Sequence, residues 1–203
     1  MIRRNDELNN LSTYNGEIDY RKFFEEMELS DERTEKREEV ADKLYWLFTS
    51  LFVLAEVAEN ELVCRWYLYE NLTNIVQEYG VYDAYSVQYI DKFTDAYIEV
   101  TFRHDEEYYL SDDRALLGAL NEANAICEYE ELQEAIEDGC TFKIWRTEKD
   151  DKVRKTHRVL EGKKLPIEEF FEVGNERLLY PRDEVNCGDL REISSCRCHL
   201  DYE

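Results

Sequence analysis

A histidine and three cysteines in the last quarter of the chain carry metal-ligand chemistry. His157, Cys196 and Cys198, with Cys187 or His199 as a fourth ligand, offer the imidazole and thiolates that Zn²⁺ prefers. A closed site of that kind would staple a small domain short of core. The spacing argues the other way: structural zinc usually takes C-x₂₋₄-C knuckles, and the side chains of a C-x-C pair point the same way only if the backbone is extended. In the alternative reading no cofactor is bound. Cys196 and Cys198 then pack inward on one strand face with Arg197 on the other side, and His157 donates a hydrogen bond that caps the turn before Gly162. A second grouping is Asp150, Arg154 and His157. On a helix these three would share one face, and an Asp-oriented His could serve as a general base. No Walker motif, G-x-S-x-G, H-E-x-x-H or paired-histidine nuclease signature accompanies them. The trio is therefore expected to fix a loop over Trp145, and no enzyme is expected.

Charge defines a third candidate surface. Residues 143–164 hold nine Lys/Arg against four Asp/Glu, a local +5. Within it Lys143, Lys149, Lys152, Lys155, Arg158, Lys163 and Lys164 are candidate phosphate contacts. The alternative is that this patch pairs with the protein's own acids, because no groove-reading motif is present. The whole chain of 203 residues has 25 Lys+Arg against 48 Asp+Glu, formally -23. That figure divides unevenly, -22 over residues 1–139 and -1 over residues 140–203. The helical part is thereby excluded from nucleic-acid or anionic-membrane binding.

The elements that must position these residues fall on either side of Gly139. Residues 1–29, with Asn9-Asn10 and Asn15-Gly16, read as an N-terminal arm with one short helix around 20–28. Ser30-Asp31-Glu32 is a helix start, and Val40, Leu44, Leu47, Phe48, Leu51 and Leu54 recur at helical steps. Further helices carry Leu62 to Val76 before Gly80, Val87 to Val100, and Ala115 to Ile136 before Gly139. Acids are expected on the solvent faces opposite those stripes, and the 15 Tyr in core and rim. Cys64, Cys127 and Cys140 lie on or beside apolar helical faces as small core residues. After Gly139 short strands are expected at 141–145, 165–167, 177–181 and 193–202. The expected fold is α+β and mainly helical: an acidic helical region at 30–139, then a small irregular α+β module at 140–203. No apolar run reaches membrane length, and the polar start Met1-Ile2-Arg3-Arg4 gives no signal peptide. The six cysteines are accordingly expected as reduced thiols.

Several of these residues occur together in an ordered pattern. Trp145, Thr147, Asp150, Val153-Arg154, His157, Leu160 and Gly162 resemble W-x-T-x-x-D-x-x-V-R-x-x-H-x-x-L-x-G. Phe170, Tyr180-Pro181-x-Asp183 and Cys196-Arg197-Cys198 follow, and Arg114-Ala115 with Asn121-Glu122-Ala123-Asn124 precede. Over about residues 108–202 the chain resembles the phage Mu F-like minor head proteins, also called head morphogenesis proteins, of tailed bacteriophages and prophages. Ser195 stands where relatives more often carry Asn, and Cys187 and His199 are additions to the pattern. The resemblance implies a non-enzymatic virion or assembly component acting beside the portal, inside or at the entry of the head, and made in the bacterial host cytoplasm. Its implied partners are portal and inner capsid or scaffolding proteins, with double-stranded DNA contacted non-specifically during packaging or ejection. A Cys196–Cys198 disulfide in the mature virion is a further alternative for the thiols. The other functional class is a toxin-like nuclease or transferase using Asp150 and His157, since toxin domains occur downstream of such modules. The sequence ends at Glu203 directly after the cysteines, and no such domain is expected.

Overall fold

A computed structural model describes residues 18–103 and 110–203. The arm residues 1–17 lie outside the described residues. Helix α1 (Tyr20–Glu25) leads into α2 (Asp31–Ala58), α3 (Glu61–Tyr79), α4 (Ala84–Arg103) and α5 (Asp112–Glu137). The starts are capped as their sequences dictate. Ser30 and Ser111 accept hydrogen bonds from Arg33 N and Arg114 N, with Asp31-Glu32 and Asp112-Asp113 in the first turns. Asn60 accepts from Leu62 N and Val63 N, so Glu59-Asn60 alone turn the chain from α2 into α3.

The first core gathers the stripe of α2 (Val40, Leu44, Phe48, Leu51) with Leu68 and Leu72 of α3, Ile90 and Phe93 of α4, and the alanine-rich face of α5. Small residues on α5 let it lie close to α2. A Cβ on Gly118 would meet the Phe48 ring at 3.2 Å and the Tyr97 hydroxyl at 3.3 Å. Among the described residues no helix is long and apolar enough to cross a membrane.

Beyond Gly139, which takes φ +81, the chain forms β1 (Phe142–Arg146), α6 (Lys155–Arg158), β2 (Lys164–Pro166), β3 (Phe171–Val173), β4 (Glu176–Leu178), α7 (Leu190–Ile193) and β5 (His199–Tyr202). The sheet order is β2-β1-β5, antiparallel throughout, with Ile144 opposite Lys164 and Trp145 opposite Leu200. Strands β3 and β4 form a separate hairpin around Gly174-Asn175, Gly174 at φ +63. The architecture is mainly helical α+β with a small C-terminal sheet module, as expected. The last expected strand is shorter than its reading at 193–202. Ile193 ends α7, residues 194–198 form a turn and an irregular extended stretch, and pairing begins at His199.

The second core does not begin at Gly139. Tyr129, Leu132 and Ala135, the last turns of α5, pack with Trp145, Phe171, Val173, Leu178, Tyr180 and Leu200. Helix α5 therefore belongs to both cores. The expectation that acids lie opposite the apolar stripes fails on this helix, where Glu122, Glu128 and Glu131 are buried. Each has an arginine. Arg37, fully buried, donates Nη2 to Glu128 Oε1 at 2.9 Å and Nε to Asn124 Oδ1 at 2.9 Å, and forks onto Glu131. Arg33 reaches Glu131 at 2.6 Å and the Leu200 carbonyl at 3.3 Å. Arg182 donates to Asn121 Oδ1 at 2.8 Å, Ile193 O at 2.7 Å and Glu122 Oε1 at 3.2 Å. A seam of paired charges thus docks the sheet module on the helices.

Candidate functional site

The residues of the motif converge beneath the β1–α6 loop. Trp145, on central strand β1, is fully buried and makes edge contacts with Phe171 at 5.0 Å and with the His157 ring at 5.6 Å. Gly162 closes the loop behind it at φ +71, a value that suits glycine, donating to Trp145 O at 2.8 Å. Thr147 N and Oγ1 both donate to Glu161, at 2.7 and 2.8 Å.

Asp150 is a turn former. One carboxylate oxygen accepts from Lys152 N and Val153 N, at 3.0 and 3.1 Å, and the other from Arg197 Nη2 at 2.6 Å. Arg197 also holds Glu26 beyond α1 at 2.7 Å. The Arg154 guanidinium donates to the Ser194 carbonyl. The one-face arrangement of Asp150, Arg154 and His157 is not formed, because α6 begins only at Lys155. The carboxylate beside the imidazole is Glu192, with its Oε2 3.4 Å from His157 Nε2.

His157 is buried, and its Nδ1 stands 3.4 Å from Cys198 Sγ and 3.4 Å from Cys196 Sγ. The two thiols thus stand on one side, at equal distance from a single ring nitrogen. Burial, the largest single influence, lowers the imidazole pKa, but the hydrogen bond and charge of Cys196 together with the Glu192 charge outweigh it and raise the value. The hydrogen bond from Cys198, with His157 helping against burial, takes Cys196 well below the ordinary thiol value. The same bond, with burial, pushes Cys198 up. The arrangement favours a thiolate at Cys196 beside the imidazole. Such a group can ligate a soft cation or be oxidised. A cavity of about 20 Å³ adjoins it, room for one water-sized group. Glu148 lines that cavity, and burial lifts its carboxyl to about 7.

The other expected ligands lie elsewhere. Cys187, whose Sγ donates to the Asp189 carbonyl at 3.1 Å, is outside the group, and so is His199, which burial lowers to about 4. Cys187 and His199 are therefore not the fourth ligand. Tyr180 and Pro181 are buried, with the Tyr180 ring 5.7 Å from Tyr129 and 6.3 Å from Tyr85. They anchor the module on α4 and α5.

The basic patch is only partly available. Lys143 is buried, donating to the Leu179 carbonyl at 2.7 Å, because its position on the central strand points it inward. It is removed from the phosphate-contact set. Lys149, Lys152, Lys155, Arg158, Lys163 and Lys164 are exposed. Of these Lys149 meets Glu161 at 3.5 Å and Lys164 meets Glu203 at 2.5 Å, while Arg158 donates to the Val153 carbonyl.

The site includes residues that sequence reasoning passed over: Glu148, Glu192 and Arg182. Arg182 lies inside the Tyr180-Pro181-x-Asp183 segment, so its place in the motif was the available signal. A different surface is conspicuous on the helices. Trp46, Val53 and Val57 of α2 and Leu62 and Trp66 of α3 are all more than 60% exposed, an apolar stripe on a charged molecule.

Comparisons with known protein families, with curated proteins and with solved structures find no match to this chain.

Proposed function

We propose that this protein is a structural, non-enzymatic minor head protein of a tailed bacteriophage or prophage, acting beside the portal in head assembly. The observation that carries the reading is the convergence of the motif. Trp145, Asp150, Arg154, His157, Gly162, Cys196, Arg197 and Cys198 interlock through their own contacts around a small cavity. A cavity of about 20 Å³ admits a water or an ion and no nucleotide or sugar. Residues used up in holding one another define a fold, which suits a building block better than a catalyst.

The exposed Trp46–Val57 and Leu62–Trp66 stripe suits a partner-binding face, since Trp is enriched among residues that dominate interface energies. The portal or an inner capsid protein is the proposed partner, with the virion head as the final location. The exposed lysines around α6 suit weak, non-specific contact with double-stranded DNA. The test is co-expression with the portal and capsid genes that neighbour its own. The protein is expected to co-purify with the portal and to be found in heads. Trp46→Ala/Trp66→Ala is expected to lose that association at least tenfold while keeping its melting temperature. Heads and portal that never carry the protein would refute the assignment.

A further inference from the structure

The three ligating atoms of the thiol group are already arranged around a common centre. His157 Nδ1 is 3.4 Å from each sulfur, and Nδ1 and both Sγ atoms lie within 4.8 Å of one another. For tetrahedral zinc, bond lengths of about 2.3 Å to sulfur and about 2.0 Å to nitrogen give an N···S edge of roughly 3.5 Å. We infer that His157 Nδ1, Cys196 Sγ and Cys198 Sγ bind one zinc ion, with a water in the adjoining cavity as fourth ligand.

Four observations carry this assignment. First, a ring nitrogen has either one lone pair or one proton to offer, so hydrogen bonding serves only one of two sulfurs held at equal distance. A cation at the centre serves all three atoms. Second, the far side of the imidazole is arranged as ligating histidines are. Nε2 faces Glu192 Oε2 at 3.4 Å, and that oxygen is itself fixed by Thr156 Oγ1 at 2.7 Å. Nε2 makes no hydrogen bond at that distance and angle, but a carboxylate this close favours the Nε2–H tautomer, which leaves Nδ1 free for metal. Third, the objection to C-x-C falls away, because both thiols stand 3.4 Å from the same ring nitrogen and so share one side whatever their spacing. Fourth, the cavity has room for one water, and Glu148 on its wall has a buried Oε1 with no partner among the described residues. That oxygen can accept a hydrogen bond from the metal-bound water.

Charge balance agrees: a dication with two thiolates and a neutral imidazole is neutral overall, which suits a buried position. Ligand softness selects zinc over magnesium or calcium. The bound form has two thiolates and an unprotonated Nδ1, so any protons on those atoms go to solvent, and no electron transfer is involved. The inference does not depend on the head-protein reading.

The test uses the full chain, stripped by chelator, reduced and then titrated with Co²⁺ as a spectroscopic probe. Expected are thiolate-to-cobalt charge-transfer absorption and strong tetrahedral d–d bands saturating at one equivalent, bleached when Zn²⁺ is added. Cys196→Ser/Cys198→Ser is expected to abolish both bands, and Cys140→Ser, outside the group, to keep them. Zinc at a hundredfold excess over its Kd should raise the wild-type melting temperature by roughly 5–10 °C. Reduced, folded wild-type protein with no cobalt bands and no zinc-dependent melting shift overturns the site. That result stands without any variant, so a misfolded double mutant leaves the test intact. Bands that persist in a folded double mutant also overturn it.

Discussion

Ser195 holds the turn between α7 and the cysteines at φ 55, a left-handed conformation that costs an ordinary L-residue about 1–2 kcal/mol and that Asn tolerates better. It cannot relax, because its N–H donates to Asn121 Oδ1 at 3.1 Å and its neighbour's carbonyl accepts from Arg154. The strain keeps Cys196 aimed at His157. Asn at this position, the residue more frequent in the proteins the motif resembles, should relieve part of it. Ser195→Asn is expected to stabilise by about 0.5–1 kcal/mol in chemical denaturation, and Ser195→Val to destabilise by more than 1 kcal/mol. A β-branched side chain accepted at no cost would show that the backbone here is unstrained. The same residue shows what a sequence can and cannot disclose. From sequence, Asp150, Arg154 and His157 are expected to fix a loop over Trp145, but the sequence does not disclose that Asp150 serves Arg197, nor that Glu192, 35 residues after His157, stands behind its ring.

At the scale of elements, helices declared themselves and their buried charges did not. Ser30 and Ser111 followed by acids, and apolar steps of three and four, marked α2 and α5 to within a residue. Periodicity alone could not tell an acid facing solvent from Glu128 facing Arg37, because that depends on which helix lies opposite. The Gly174-Asn175 turn between Phe171–Val173 and Glu176–Leu178 is a readable hairpin signal that went unread, the strands being only three residues long. The seam they all rest on makes a strong prediction. Arg37 is fully buried among Asn124, Glu128 and Glu131, so removing it strands buried carboxylates. Arg37→Ala should cost about 3–5 kcal/mol in urea unfolding. Arg33 runs from the same acids to the Leu200 carbonyl on β5. Helical circular dichroism and fluorescence of buried Trp145 should therefore shift to lower urea together. A loss under 1 kcal/mol, or an unchanged fluorescence midpoint, would mean that the seam does not join the two cores.

For the whole molecule, the division at Gly139 describes charge better than packing, since the last turns of α5 belong to the sheet module's core. A chain of net charge -23 that also buries acids should be most stable on the acid side of neutrality. Glu184 gives the sign. Burial first, then the Glu122 charge, raise its carboxyl to about 8 against the pull of Arg182 and Lys92. A folded-state pKa raised above the unfolded carboxylate value means that the native state holds the proton between roughly pH 4 and 8. Stability from this group is therefore full below the unfolded value and lost as pH rises through 8. Glu148, raised to about 7, acts in the same direction but is half exposed and contributes less. His199 opposes them only lower down. Its folded-state value of about 4, set by burial, costs stability as pH falls from about 6.5 towards 4. Between pH 8.5 and 6.5 Glu128, which burial also raises to about 8, adds to these two carboxyls, while Lys143, which burial lowers to about 8, and the Cys196 thiol, held low by its hydrogen bond from Cys198, oppose them. Stability should rise by roughly 2 kcal/mol on that descent, or roughly 4–8 °C in melting temperature. Glu184→Gln, which carries the neutral form at every pH, should remove Glu184's share of that slope, so that the wild type gains more than the variant between pH 8.5 and 6.5. An identical pH dependence in the two proteins would show Glu184 to be ionised in the fold, paired with Arg182 and Lys92 rather than protonated between them.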